Sequence, residues 1–122
     1  MIRLSIANRA LGLRGGIVLP ASKSISNRAL LLSQLCADGP APLSNLADCE
    51  DTRVMREALK ALSELRSVNS EQIIDVRGAG TAMRFLTAYF AQCEGANVVL
   101  TGIERMKQRP IAPLVNALRA LG

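Results

Sequence analysis

At 122 residues and 49% apolar content the chain has room for one ordinary domain, and with no Trp, one Tyr and two Phe its core must be aliphatic. No apolar run approaches the roughly 20 residues of a membrane span. The opening Met1-Ile2-Arg3-Leu4-Ser5 lacks the apolar core of a signal peptide, so a cytoplasmic protein with no membrane partner is expected. The net charge of +5 raises the question of nucleic acid, but the basic residues form no run and almost no aromatic surface is available for base stacking. Cations gathered in small-anion pockets account for the balance at least as well.

The absence of His excludes the usual catalytic triads and the commonest metal ligand. Any proton transfer must use carboxylates, Lys or a second polypeptide. Three cysteines, Cys36, Cys49 and Cys93, are an odd number with no close pair, which argues against a disulfide framework or a zinc site.

In chain order, residues 4–7 and 17–19 read as strands, with Gly12, Gly15 and Gly16 as turn signals between them. A Pro20-bounded turn of small residues then leads into a helix over 24–37. Ile25, Ala29, Leu32 and Leu35 or Cys36 fall on one face of it, and Gly39 is its stop signal. The start of this helix reads as an anion site, because first-turn amides lack intrahelical partners and sit at the positive end of the dipole. Lys23 lies just before the start. Arg28 follows Ser24 by four residues, so its guanidinium can fold back over the same spot. A point charge and a planar fork are complementary ways to hold a phosphate or carboxylate. The competing reading makes one of Ser22, Ser24 and Ser26 a simple cap and leaves Lys23 and Arg28 in solvent.

Residues 43–46 read as a short strand after Pro40 and Pro42, and 49–65 as a helix with Asp48 as N-cap and Met55, Ala58, Leu59, Leu62 and Leu65 inward. Glu50 and Asp51 sit in its first turn, where the dipole favours acids. Asp51 is either such a stabilising residue or a polar wall of the anion site, and spacing leaves both open. A polar connection over 63–69 precedes a strand over 72–76. Next comes Arg77-Gly78-Ala79-Gly80-Thr81-Ala82-Met83-Arg84, a glycine turn running into a helix that reaches about Cys93. Arg84 follows Gly80 by four, as Arg28 follows Ser24. A strand over 97–101 leads to Arg105-Met106-Lys107-Gln108-Arg109-Pro110, whose three cations are either solvated or ligand-facing. Pro110 is expected to open the last helix, with Ile111, Leu114, Leu118 and Leu121 as its apolar face. The pattern strand, helix, strand, helix occurs twice. This indicates an α/β protein with a quasi-repeat that sets two cationic helix starts one repeat apart.

Four blocks then match a known family. Pro20-Ala21-Ser22-Lys23-Ser24-Ile25-Ser26-Asn27-Arg28-Ala29-Leu30 resembles the first signature of the 5-enolpyruvylshikimate-3-phosphate synthases (3-phosphoshikimate 1-carboxyvinyltransferases), and Ala79-Gly80-Thr81-Ala82-Met83-Arg84 resembles the second. Leu100-Thr101-Gly102 with Arg105-Met106-Lys107-Gln108-Arg109-Pro110-Ile111 resembles the block that follows. Asp48-Cys49-Glu50-Asp51-Thr52-Arg53 is similar to an acidic stretch between the first two. The resemblance covers this whole chain but only the N-terminal part of the family's.

It implies a two-domain fold of repeated βαβαββ units with the active site in the cleft. Residues 20–122 would form part of the N-terminal domain, and residues 1–19 would belong to the sheet of the second domain and lack their partners here. It implies that Lys23 contacts both substrates, that Ser24 and Arg28 bind shikimate 3-phosphate, and that Gly80 and Arg109 bind phosphoenolpyruvate with Arg84 nearby. Asp51 would line the cleft. The implied reaction moves the enolpyruvyl group to the 5-hydroxyl of shikimate 3-phosphate and releases phosphate. It uses no metal or organic cofactor, in a monomer that binds no nucleic acid. The general base would lie in the second domain, so this chain alone would hold no catalytic residue and be inactive. Gly78 stands where the family usually has Asn, and Phe85 where Pro is frequent. Two alternatives remain: a relative acting on UDP-N-acetylglucosamine, against which the Ser22-Lys23-Ser24 block argues, and a non-catalytic anion- or RNA-binding module.

Overall fold

The computed structural model describes residues 15–36, 38–65 and 71–122. In order they form α1 (Lys23–Gln34), α2 (Glu50–Leu65), β1 (Gln72–Asp75), α3 (Gly80–Ala91), β2 (Val98–Thr101), a one-turn α4 (Glu104–Lys107) and α5 (Ala112–Leu121). This is a mixed helix and parallel-sheet arrangement of the α/β kind. β1 and β2 pair in parallel with Gln72 opposite Val98 and Asp75 opposite Thr101. Parallel neighbours need a crossover, and α3 supplies it. Ile74, Val98 and Leu100 pack toward the helices, whereas Ile73 and Val99, partners in register, face solvent.

The core lies where α1, α2 and α3 meet over that sheet face. Met55, Val76, Ala82 and Leu86 are fully buried, joined by Val54, Ala58, Leu59 and Met106, with Tyr89 and Phe90 edge to face at 5.7 Å. Met55, Ala58 and Leu59 thus point inward as their spacing predicts. The expected strand at 4–7 lies outside the described residues, as do the side chains of Leu62 and Leu65.

Several expectations are corrected. Residues 17–19 form no strand: Ile17, Val18 and Leu19 are 86, 97 and 80% exposed, with no strand beside them among the described residues. Residues 43–46 form none either, because Asn45 takes a left-handed φ of 53°, which bends the run. The apolar stripe of α1 also faces outward, with Ile25, Leu32 and Leu35 exposed and Ser26, Asn27, Leu30 and Ser33 buried.

The reason is a set of hydroxyl bonds. Ser26 Oγ donates to the Ser22 carbonyl at 2.9 Å and accepts from the Ala47 amide at 2.8 Å, while Ser33 Oγ donates to the Ala41 carbonyl at 2.8 Å. These bonds fasten the 41–47 connection to α1 and satisfy buried polar groups. Asp48 does not cap α2. The Cys49 carbonyl takes the first helical bond, from the Arg53 amide, and the Asp48 carboxylate accepts from Arg53 Nε and Nη2 at 3.1 and 2.7 Å. Pro113, not Pro110, occupies the first turn of α5. No described helix is long and apolar enough to cross a membrane.

Candidate anion-binding site

At the first helix start Ser22 is the cap: its backbone is extended, and its hydroxyl accepts from the Ile25 amide at 3.4 Å. With Ser26 used in the interior, Ser24 remains on the exposed side. Arg28 folds back one turn, donating from Nη1 to the Ser24 hydroxyl and, at 3.2 Å, to its carbonyl. Lys23 reaches across to the first turn of α2, its Nζ 3.2 Å from Asp51 Oδ2. Lys23 is 61% exposed, and such surface pairs contribute about 0–1 kcal/mol, so an arriving anion can displace or share this one cheaply.

The second start is built differently. No side chain caps α3, whose first amides follow the buried Ala79 and Gly80. Arg84 folds back as its spacing predicts, donating from Nη1 to the Gly80 carbonyl at 3.1 Å and from Nη2 to the Pro110 carbonyl at 3.2 Å. Arg109 arrives from the other side and fills the space that a Cβ on Gly80 would need. Its Cζ lies 3.6 Å from that position and Arg84 Nη1 lies 3.5 Å from it. Glycine is required here for close approach, not for an unusual φ.

Neither guanidinium has a carboxylate partner among the described residues. Two like charges converging on a helix start that no side chain caps are an arrangement suited to a phosphate or carboxylate. A cavity of about 660 Å³ adjoins the pair, lined by Arg84, Lys107 and Arg109 and by apolar residues that include Phe90, Met106 and Val115.

Of the three loop cations only Arg109 reaches Gly80. Lys107 lies 3.8 Å from Glu104 within α4, and Arg105 is exposed. Arg53 has its pKa raised by the hydrogen bond to Asp48 and by the charge of that carboxylate. Gly78 has room for a side chain, since a Cβ there meets only Ile103 Cδ1 at 3.6 Å. Among the described residues no three His, Cys, Asp or Glu side chains gather where they could hold a metal ion.

The structure therefore gathers Lys23, Ser24, Arg28 and Asp51 into one set and Gly80, Arg84 and Arg109 into another. No described hydrogen bond or ion pair joins the sets directly. The link runs through α2, where Glu50, beside Asp51, and Glu57 lie 3.6 and 3.9 Å from the guanidinium of Arg77, three residues before Gly80. Sequence reasoning passed over Arg77. Its partners sit on another element, and only the i, i+7 spacing of Glu50 and Glu57 hinted that one cation could bridge them.

Fold and site together define a class: an α/β unit that gathers cations at two helix starts. Residues 9–122 match the family profile described as EPSP synthase (3-phosphoshikimate 1-carboxyvinyltransferase), and the chain belongs to that family. Relatives named 3-phosphoshikimate 1-carboxyvinyltransferase include one from Bacteroides fragilis (strain YCH46), 54% identical over 90% of this chain and 24% of its own length. Others come from Hamiltonella defensa, 46% identical over 88% of this chain and 29% of the relative, and Escherichia coli (strain SMS-3-5), 47% identical with the same shares. The chain thus spans between 24 and 29% of the length of these relatives. No solved structure matches it significantly.

Proposed function

We propose that this chain supplies the N-terminal part of an enzyme that transfers the enolpyruvyl group of phosphoenolpyruvate to the 5-hydroxyl of shikimate 3-phosphate. The observation that carries the reading is the convergence of the Arg84 and Arg109 guanidiniums on the buried Gly80, at a helix start that no side chain caps, with no carboxylate paired to either among the described residues. On this reading Gly80, Arg84 and Arg109 hold phosphoenolpyruvate. Ser24 and Arg28 hold shikimate 3-phosphate, Lys23 serves both, and Asp51 lines the cleft beside Lys23. Residues 20–122 belong to one domain of repeated βαβαββ units, a reading supported by the β1, α3, β2, α5 order, and residues 1–19 belong to the sheet of the other.

In the reaction the 5-hydroxyl oxygen adds to C2 of phosphoenolpyruvate while C3 gains a proton. The 5-hydroxyl proton passes to the general base, and the tetrahedral intermediate then loses a proton from the new C3 methyl group as its C2–O bond to phosphate breaks. The side chains here bind and orient the anions and stabilise the charge that develops. The general base lies outside this set, so the 122-residue chain binds without turnover. A charge-assisted hydrogen bond contributes about 1.5–3 kcal/mol, and millimolar affinity corresponds to about 4 kcal/mol, so two or three contacts suffice for weak binding.

An amide-correlation NMR titration with shikimate 3-phosphate, using free shikimate as control, tests this. Selective, saturable shifts at Lys23, Ser24 and Arg28 with the phosphorylated ligand alone are expected. Equal response to both ligands, or to any polyanion with steep salt dependence, would overturn it.

A further inference from the structure

We propose that Arg77 is a positioning residue that couples the two helix starts, a role that rests on the anion-site reading above. Arg77 takes a left-handed φ of 50°. The other described non-glycine in that region is an asparagine, which tolerates it, whereas an arginine does not adopt it without compensation.

The compensation is visible on every side of the residue. The Arg77 amide donates to Asp75 Oδ1 at 2.7 Å, and its carbonyl accepts from the Ile103 amide at 3.1 Å. That approach depends on Gly102, where a Cβ would sit 2.6 Å from the Arg77 oxygen. The guanidinium lies 3.6 Å from Glu50 and 3.9 Å from Glu57, two acids on one face of α2.

Arg77 is therefore tied to three elements at once. Along the chain it precedes Gly80 by three residues. Through Ile103 it holds the segment that leads into α4 and on to Arg109. Through the half-exposed pair with Glu50, one of two acids that share its charge, it reaches the turn of α2 whose next residue, Asp51, pairs with Lys23. A shift of α2 relative to the 76–80 turn would move Lys23's partner and the Gly80 start together, so an anion bound at one set biases the other.

The test is a titration of the 122-residue chain with inorganic phosphate, followed at the amides of Gly80 and Lys23, for wild type, Arg77→Gly, Arg77→Lys and the double variant Glu50→Gln/Glu57→Gln. Arg77→Gly removes the tie and relieves the φ, so binding at both amides weakens by about threefold or more while the melting temperature holds or rises. Arg77→Lys restores part of the affinity. The double variant decides between positioning and simple charge. Removing two carboxylates tightens anion binding if only charge matters, and weakens it if the tie positions the site.

Unchanged or tighter binding in the double variant overturns the coupling, as does wild-type affinity in Arg77→Gly. If wild type itself shows no saturable shift at Gly80, the anion-site reading falls and this proposal falls with it. If wild type saturates and the variants match it, only the coupling is lost.

Discussion

Replacing Gly80 with alanine tests the candidate site at its narrowest point, because the new methyl group would enter the space held by the Arg109 guanidinium. Arg109 Nη1 would fall inside contact distance, and Arg109 Cζ and Arg84 Nη1 lie 3.6 and 3.5 Å from the new carbon. The obstructing atom is the far end of a flexible side chain, so Arg109 gives way by on the order of 1 Å rather than the backbone. A displacement of that size takes the guanidinium out of line with an anion seated on the first amides of α3. Losing one charge-assisted contact costs about 1.5–3 kcal/mol, which is about 10- to 150-fold in affinity. Stability moves the other way. Gly80 is helical with no positive φ, so alanine adopts its backbone and gains up to about 1 kcal/mol from reduced chain entropy.

The assay is paired: phosphoenolpyruvate affinity from amide shifts, and melting temperature from circular dichroism, on wild type and Gly80→Ala. Weaker binding with an equal or higher melting temperature is the expected result. A drop of several degrees with unchanged affinity would refute the reasoning, because it would mean that the methyl group pushed the backbone and left Arg109 in place.

Asp51→Asn removes the carboxylate 3.2 Å from Lys23 Nζ, so phosphate binding at Lys23 should tighten about two- to fivefold at low salt and less at high salt. Weaker binding would mean instead that the carboxylate is needed to orient the amine. Gly102→Ala sets a Cβ 2.6 Å from the Arg77 carbonyl oxygen and 3.0 Å from Met106 Cγ, and since the first contact is backbone it should cost about 1–3 kcal/mol. A melting temperature within a degree of wild type would contradict that geometry. Leu30→Ala should cost about 2–4 kcal/mol and Leu32→Ala about 0.5 or less, because Leu30 is 8% exposed and Leu32 63%. Equal losses in denaturant titrations would show that α1 presents its other face to the core.

Much of the site was legible because its logic is local. Arg28 over Ser24 and Arg84 over Gly80 follow from helical spacing alone, and both bonds form. The Lys23 to Asp51 pair and the approach of Arg109 to Gly80 are long-range: spacing left Asp51 open between a stabilising acid and a wall of the anion site, and only the family resemblance set Arg109 with Gly80. Arg77 stayed hidden for the same reason, without a motif to point to it. The strands illustrate the converse limit. β1 and β2 form because each has the other, with α3 to connect them, whereas the equally apolar 17–19 run has no partner strand beside it among the described residues.

The outward stripe of α1 makes that limit physical. Periodicity identifies the face that a sequence prepares for burial, and Ile25, Leu32 and Leu35 are such a face by any helical count. Burial itself needs a second surface. Here α2 and α3 take Leu30, and beside them lies the 41–47 connection, which carries backbone donors and acceptors, so the serine side of α1 turns toward it and bonds those groups through Ser26 and Ser33. Turning the apolar stripe inward would leave the buried Ala47 amide without its partner, at about 1–3 kcal/mol for a group kept from water. The buried serines are therefore the stable answer for the described residues. The same rotation of α1 that buries Ser26 and Asn27 leaves Lys23, Ser24 and Arg28 on the exposed side, which is where the proposed anion site needs them.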